Sequence, residues 1–267
     1  MIMDSGNENQ LTFNFLSQSK FVQIQPLNLK RAVISWLIAR KPTGIGVDVP
    51  TRISKYKADA AAFWSIPLKK KILKPERTAI VEIRNNREMC WPDCSEKEKL
   101  LPLLRETKEL QKKLQFVIRE EEPELKDPDT LFDEIEIWSY EKSKNKEYHK
   151  CCRQLEEVEH ALYRGSRFEQ IRRAHVADLL YLAVPENSVH PDELADGWGL
   201  LFVNEKLEVS LVKEAENWNC PEANRHHLIQ NMAMASTKNM LFAHGINYRP
   251  DDSVVFTPVP RRRRGEV

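Results

Sequence analysis

Apolar residues recur at helical spacing over residues 27–41, where Leu27, Ala32, Val33, Trp36, Leu37 and Ala39 predict a helix buried on one face. Pro42-Thr-Gly-Ile-Gly46 stops it. Residues 47–49 and 58–64 are short, β-prone or rich in small residues, and the connection between them reads as a hairpin. After a basic loop carrying Lys69, Lys70, Lys71 and Lys74, residues 78–84 alternate as a strand. Ala79, Val81 and Ile83 share one face, and Ile80, Glu82 and Arg84 share the other.

The pattern changes over residues 96–164. Leu103, Leu110, Leu114, Val117 and Ile118 mark one amphipathic helix, and Leu155, Val158 and Leu162 a second that ends at Gly165. Strand-like sequence then resumes: a helix over 167–176, an apolar strand over 177–184, a two-strand ribbon over 198–203 and 207–212, and a last helix over 221–242. The order predicts an α/β fold with a mixed sheet flanked by helices and a helical hairpin inserted at 95–164. The expected division is a polar arm at 1–26, a core at 27–94 and 165–246, the hairpin, and a basic, flexible, Pro-rich tail at 247–267 that ends in Arg261–Arg264 and has no pattern to pack a core. Trp36, Trp64, Trp198 and Trp218 read as core.

Composition narrows the classes. The 267 residues hold 41 Lys+Arg and 40 Asp+Glu, so a histone-like polycation and an acidic tail are both excluded. The balance is uneven: residues 96–164 carry 14 basic and 18 acidic residues, leaving the rest mildly basic. Neither a membrane-length apolar run nor a signal-peptide pattern occurs, and the five scattered cysteines form no secreted framework, so a cytoplasmic protein with reduced thiols is expected. Cys90-x₃-Cys94 and His149, Cys151 and Cys152 flank the hairpin but lack the compact Cys-x₂-Cys pair of a zinc site. Phosphate loops, serine elbows and His-Glu-x-x-His helices are absent.

The chemistry-bearing cluster is Asp59 with Glu82-Ile83-Arg84. Adjacent strands can bring two carboxylates together, with the Ile83 carbonyl as a third hard oxygen for Mg²⁺ (or Mn²⁺) and Arg84 beside them. By spacing alone, Glu82 and Arg84 also fit a solvated pair on one strand face.

The order of Lys57-Ala58-Asp59, Val81-Glu82-Ile83-Arg84, Trp91-Pro92-Asp93, Ala177-Asp178-Leu-Leu-Tyr-Leu-Ala-Val-Pro185 and Gly197-Trp-Gly-Leu200 resembles the PD-(D/E)XK nuclease superfamily, in its MmcB-type branch related to DNA repair. The resemblance implies a restriction-endonuclease-like fold. It makes Asp59, Glu82 and the Ile83 carbonyl metal ligands and Asp59, Glu82 and Arg84 the catalytic set. Lys57, Gln170 and Arg173 would then contact nucleic acid, DNA first. Two departures stand out: Arg84 holds the family's lysine position, and the 27–41 helix lacks an acid. A guanidinium stays protonated and cannot take a proton from water. The sequence therefore supports two functions: a Mg²⁺-dependent endonuclease of DNA repair or antiviral defence, possible as a homodimer, or a catalytically weakened nuclease fold that binds nucleic acid or docks a protein through residues 95–164.

Overall fold

A computed structural model describes residues 24–69, 72–92, 94–126, 138–249 and 253–259. Helix α1 (Pro26–Ala39) starts with proline in its first turn, where the missing N–H costs nothing, and buries Leu29, Ala32, Val33, Trp36 and Leu37. Strands β1 (Gly44–Pro50), β2 (Lys57–Lys69) and β3 (Ile72–Ile83) form an antiparallel meander, so the expected hairpin is present. Of the expected basic loop, Lys69 and Lys74 lie instead in β2 and β3, in the end of a long ribbon. Its pairing continues past β1, which reaches only Phe63, and its register shifts near Ser65 and again before Lys69.

Helices α2 (Lys97–Glu121) and α3 (Lys146–Tyr163) pack on each other as the expected hairpin, and Asn145 caps α3 by accepting from the Tyr148 amide. The buried stripe of α2 is Leu101, Leu104, Lys108, Leu114 and Ile118, whereas Leu110 lies outside it and is exposed. The base of the hairpin belongs to the main core through Leu101, Leu104, Leu155, Val158 and Leu162, while Leu114, Ile118, Tyr148 and Cys151 form a separate distal cluster. Helix α4 (Arg167–Arg173) leads to β4 (Leu179–Pro185), parallel to β3. Strand β5 (Trp198–Val203) is parallel to β4, and β6 (Val209–Lys213) closes the sheet antiparallel.

The six strands lie in sequence order in one mixed sheet. α1 covers one side, with Val33, Trp36 and Leu37 against Ala60, Ala62, Val81, Tyr181, Ala183 and Leu201. The other side packs on α4, the base of the hairpin and α5 (Glu222–Ala243), which contributes Leu228, Met232 and Ala235. The small residues of β1 and β2 set these approaches: a Cβ at Gly46 would press on Met232 of α5 and on Val49. Part of the tail expected to be unstructured forms a hairpin, β7 (Ile246–Tyr248) with β8 (Val254–Phe256), whose three-residue strands give too short an alternation to read. Among the described residues no helix is long and apolar enough to cross a membrane.

Candidate functional site

Ala60 pairs with Val81, so Asp59 and Glu82 are the next positions toward the same end of the sheet. The Arg84 amide donates to the Ala183 carbonyl at 3.0 Å, continuing the β3–β4 ladder past the end of β3 and pinning the residue's backbone. Its guanidinium then turns back over the strand end. Nη1 lies 2.6 Å from the Ile83 carbonyl and 3.1 Å from Asp59 Oδ2, and Nη2 lies 2.9 Å from Glu82 Oε2. Asp59 Oδ2 also accepts from the Ile83 amide at 2.8 Å.

A second guanidinium completes the cluster. Arg167 Nη2 is 2.8 Å from Glu82 Oε1 and 2.6 Å from Oε2, donates to the Lys57 carbonyl at 2.5 Å, and its guanidinium lies 4.9 Å from the Tyr56 ring centre. Local sequence puts it there. Gly165 adopts φ +72° to end the turn after α3, and Ser166 caps α4 by accepting from the Glu169 amide. Glu169 returns a bond from the Gly165 amide, and Arg167 becomes the first helical residue. A cation at a helix N-terminus opposes the helix dipole, so Arg167 depends on an acid across the fold for its placement. That misplaced charge was the available signal for a residue the motif reading omits.

Glu82 is 1% exposed. Burial pushes its carboxyl above the ordinary value, against the opposing pull of Arg167 and Arg84. Two acids and two guanidiniums thus share one site. The three oxygens expected to hold Mg²⁺, from Asp59, Glu82 and Ile83, are the three acceptors of the Arg84 guanidinium. As arranged, this donor set does not fit a divalent cation. Mg²⁺ needs near-octahedral oxygens at about 2.0–2.1 Å, and like unit charges about 4 Å apart repel by about 4 kcal/mol at a protein-like dielectric.

The remaining expected contacts separate. Lys57 joins the cluster through its carbonyl, with its side chain exposed at the rim beside Tyr56 and Lys55. Gln170 and Arg173, expected to contact nucleic acid, do not hydrogen-bond into the cluster. Gln170 Nε2 donates to the Gly165 carbonyl at 2.5 Å, and Arg173, 75% exposed, pairs with Glu169 one turn back at 2.8 Å. Helix α4 thus spends these two side chains on its own first turns. Cys90 lies in the main core and Cys151 in the distal cluster of the hairpin, and burial pushes the Cys90 thiol up to about 12. Among the described residues no three His, Cys, Asp or Glu side chains group as for a metal. Asp93, Lys70, Lys71 and Arg261–Arg264 lie outside the described residues.

Asp178, 1% exposed, is structural. It accepts from the Thr78 amide and hydroxyl, from the Cys220 amide and from Arg225 in a two-pronged pair, so β3, the segment before β4, and α5 meet at one carboxylate.

No family profile and no curated protein matches the chain. A solved structure of a protein of unknown function from Silicibacter pomeroyi is similar at a TM-score of 0.39 and 14% identity, over 82% of this chain and 92% of that one.

Proposed function

We propose that this chain is a PD-(D/E)XK-like fold in which the Arg84 guanidinium has taken the place of the divalent cation, and that it works as a nucleic-acid-binding subunit without hydrolytic activity of its own. The observation that carries the reading is the set of three Arg84 hydrogen bonds to the oxygens of Asp59, Glu82 and Ile83. Supporting it, Arg167 holds the opposite side of Glu82, so the acids are matched by permanent cations without any added ion. Nucleic acid is the partner class because the exposed Lys55 and Lys57 stand beside Tyr56 and the cluster at the end of the sheet, cations placed for salt-sensitive phosphate contact.

The test uses the full chain. Fluorescence anisotropy with a labelled single-stranded oligonucleotide, with and without Mn²⁺, is run beside a plasmid and single-strand cleavage assay. The expected result is binding that weakens with salt and needs no metal, no cleavage, and Mn²⁺-dependent cleavage appearing in Arg84→Lys. Metal-dependent cleavage by the unaltered chain that disappears in Glu82→Ala would instead establish the endonuclease. Absence of salt-dependent binding would remove nucleic acid as the partner.

A further inference from the structure

At the far end of α1 from the Asp59 cluster lies a second concavity of about 440 Å³, framed by the end of α1, β2–β3 and the segment after β6. Lys30, beside Asp59, and Arg40, beside this cleft, are ten residues apart on or next to α1, which at 1.5 Å per residue separates the two places by about 15 Å. The volume falls in the range of small-molecule sites, roughly 300–1,000 Å³.

Two guanidiniums face it, each resting on an indole. Arg40 lies 3.5 Å from the Trp36 ring centre and its Nη1 donates to the Trp36 carbonyl at 3.0 Å. Arg77 lies 4.8 Å from the Trp64 ring centre, and Trp64 is fixed in turn by its Nε1 donating to the Arg40 carbonyl at 2.9 Å. Among the described residues neither guanidinium has a carboxylate oxygen within 4.0 Å, unlike Arg84, Arg87, Arg167 and Arg225, which all pair with acids. Leu179 and Leu211 line the same space apolar, and Glu214 and Asn217 stand on it as polar groups. Asn217 uses its carbonyl oxygen on the Asn219 amide, which leaves its amide N–H groups to donate.

We infer that this cleft binds one nucleotide unit, its phosphate on the unpaired guanidinium edges of Arg40 and Arg77 and its base against the partly exposed Trp64 indole and the Arg77 guanidinium beside it. A phosphate supplies the close ion pair that both guanidiniums lack, Glu214 acting on Arg40 only from further away, and a planar ring is what an arginine–indole stack accepts from one side. Glu214 and Asn217 offer an acceptor and a donor to sugar hydroxyls or base edges. The site shares no residue with the Arg84 cluster, so the inference stands whether or not that cluster cleaves. The unit is either a free mononucleotide or one nucleotide of a single strand, and the probes tell them apart.

The test is isothermal titration calorimetry of the full chain, in EDTA, against adenosine 5′-monophosphate, adenosine, ribose 5-phosphate and a ten-residue oligo-dA. The expected result is one-to-one binding of the monophosphate, with adenosine and ribose 5-phosphate each at least tenfold weaker. The Arg40→Gln/Arg77→Gln double variant should lose at least tenfold. Arg77→Lys, at an exposed position, keeps the charge without the planar fork and should lose several-fold with an unchanged melting temperature. If the oligonucleotide binds with the same dependence on Arg40 and Arg77 and the monophosphate does not, the unit belongs to a strand. No binding of either probe, binding indifferent to both sets of variants, or adenosine binding as tightly as the monophosphate would overturn the inference.

Discussion

Arg167 and Glu82 stand 85 residues apart in the chain, yet one guanidinium nitrogen of the first lies within 2.8 Å of both carboxylate oxygens of the second. That contact joins the first turn of α4 to the end of β3 at the point where the sheet switches from antiparallel to parallel pairing. With Arg84 on its other side, Glu82 has a cation at each flank, and the end of β3 is closed by ion pairs among its own side chains.

Removing Arg167 tests this closure. Arg167→Ala leaves the buried Glu82 with one partner and strips a donor from the Lys57 carbonyl, and truncating one member of a buried pair costs about 3–5 kcal/mol. Urea unfolding should show a loss toward the lower end of that range, because Arg84 remains. Adding Glu82→Gln to Arg167→Ala should recover part of the loss, which a simple packing defect at Arg167 would not allow.

The alternation over 78–84 was enough to place Glu82 beside Arg84, because strand period is a local property. The partnership with Arg167 was not legible, since nothing local links a helix start to a strand 85 residues earlier. Lys108 escaped for a related reason: a lysine in the apolar stripe of α2 reads as polar, so the stripe is drawn through Leu110 instead. β3 starts at Ile72 and not near Thr78, even though this stretch carries Pro75, ordinarily a strand breaker. It is tolerated on a ribbon where β1 and β4 no longer flank it. The Asp59–Glu82 pairing was foreseen, and its filling by Arg84 was not, because the motif assigns residues to roles without saying which donor reaches which acceptor.

Asp178 should control acid stability. Burial raises its pKa, but the hydrogen bonds from Arg225 and Thr78 outweigh this and leave it below the ordinary carboxylate value. A depressed folded pKa means the stabilisation is complete above the unfolded value, about 3.9, and is lost as pH falls through the folded one. Unfolding free energy should therefore decline on acidification below pH 4. Asp178→Asn should lower stability at pH 7 by about 3 kcal/mol, through the unpaired Arg225, and flatten the acid limb of the curve.

Gly197 precedes β5 with φ +76°, and a Cβ there would fall inside the Trp218 ring. The Trp218 amide donates to the Asp178 carbonyl, so a displaced ring drags on the same hub. Gly197→Ala should lower stability by about 2 kcal/mol or more, from the strained backbone together with the clash. Calorimetric melting measures it. Gly197→Ala combined with Trp218→Ala should be less than additive, because the second change removes what the first strikes.

Lys108 is 8% exposed and bridges Glu159 of α3, at 2.9 Å, and Asp196 of the turn before β5, at 3.2 Å. It is the cation paired with both carboxylates, which would otherwise face each other, while Lys213 acts on Asp196 from further away. Burial and the neighbouring Asp196 already hold Glu159 above its ordinary value, against the pull of Lys108. In Lys108→Met the cation is gone and the apolar stem is kept, so what is lost is charge and not packing. The Glu159 pKa should then rise further. A raised folded pKa gives stability that is present below the unfolded value and lost as pH rises through the folded one. The variant should therefore be close to the parent near pH 4 and about 2–4 kcal/mol less stable at pH 8. Hydrogen exchange should localise that loss to α2 and α3, the elements this lysine ties to the sheet. A loss of equal size at both pH values would mean that Lys108 acts by filling space, and that the two acids never depended on its charge.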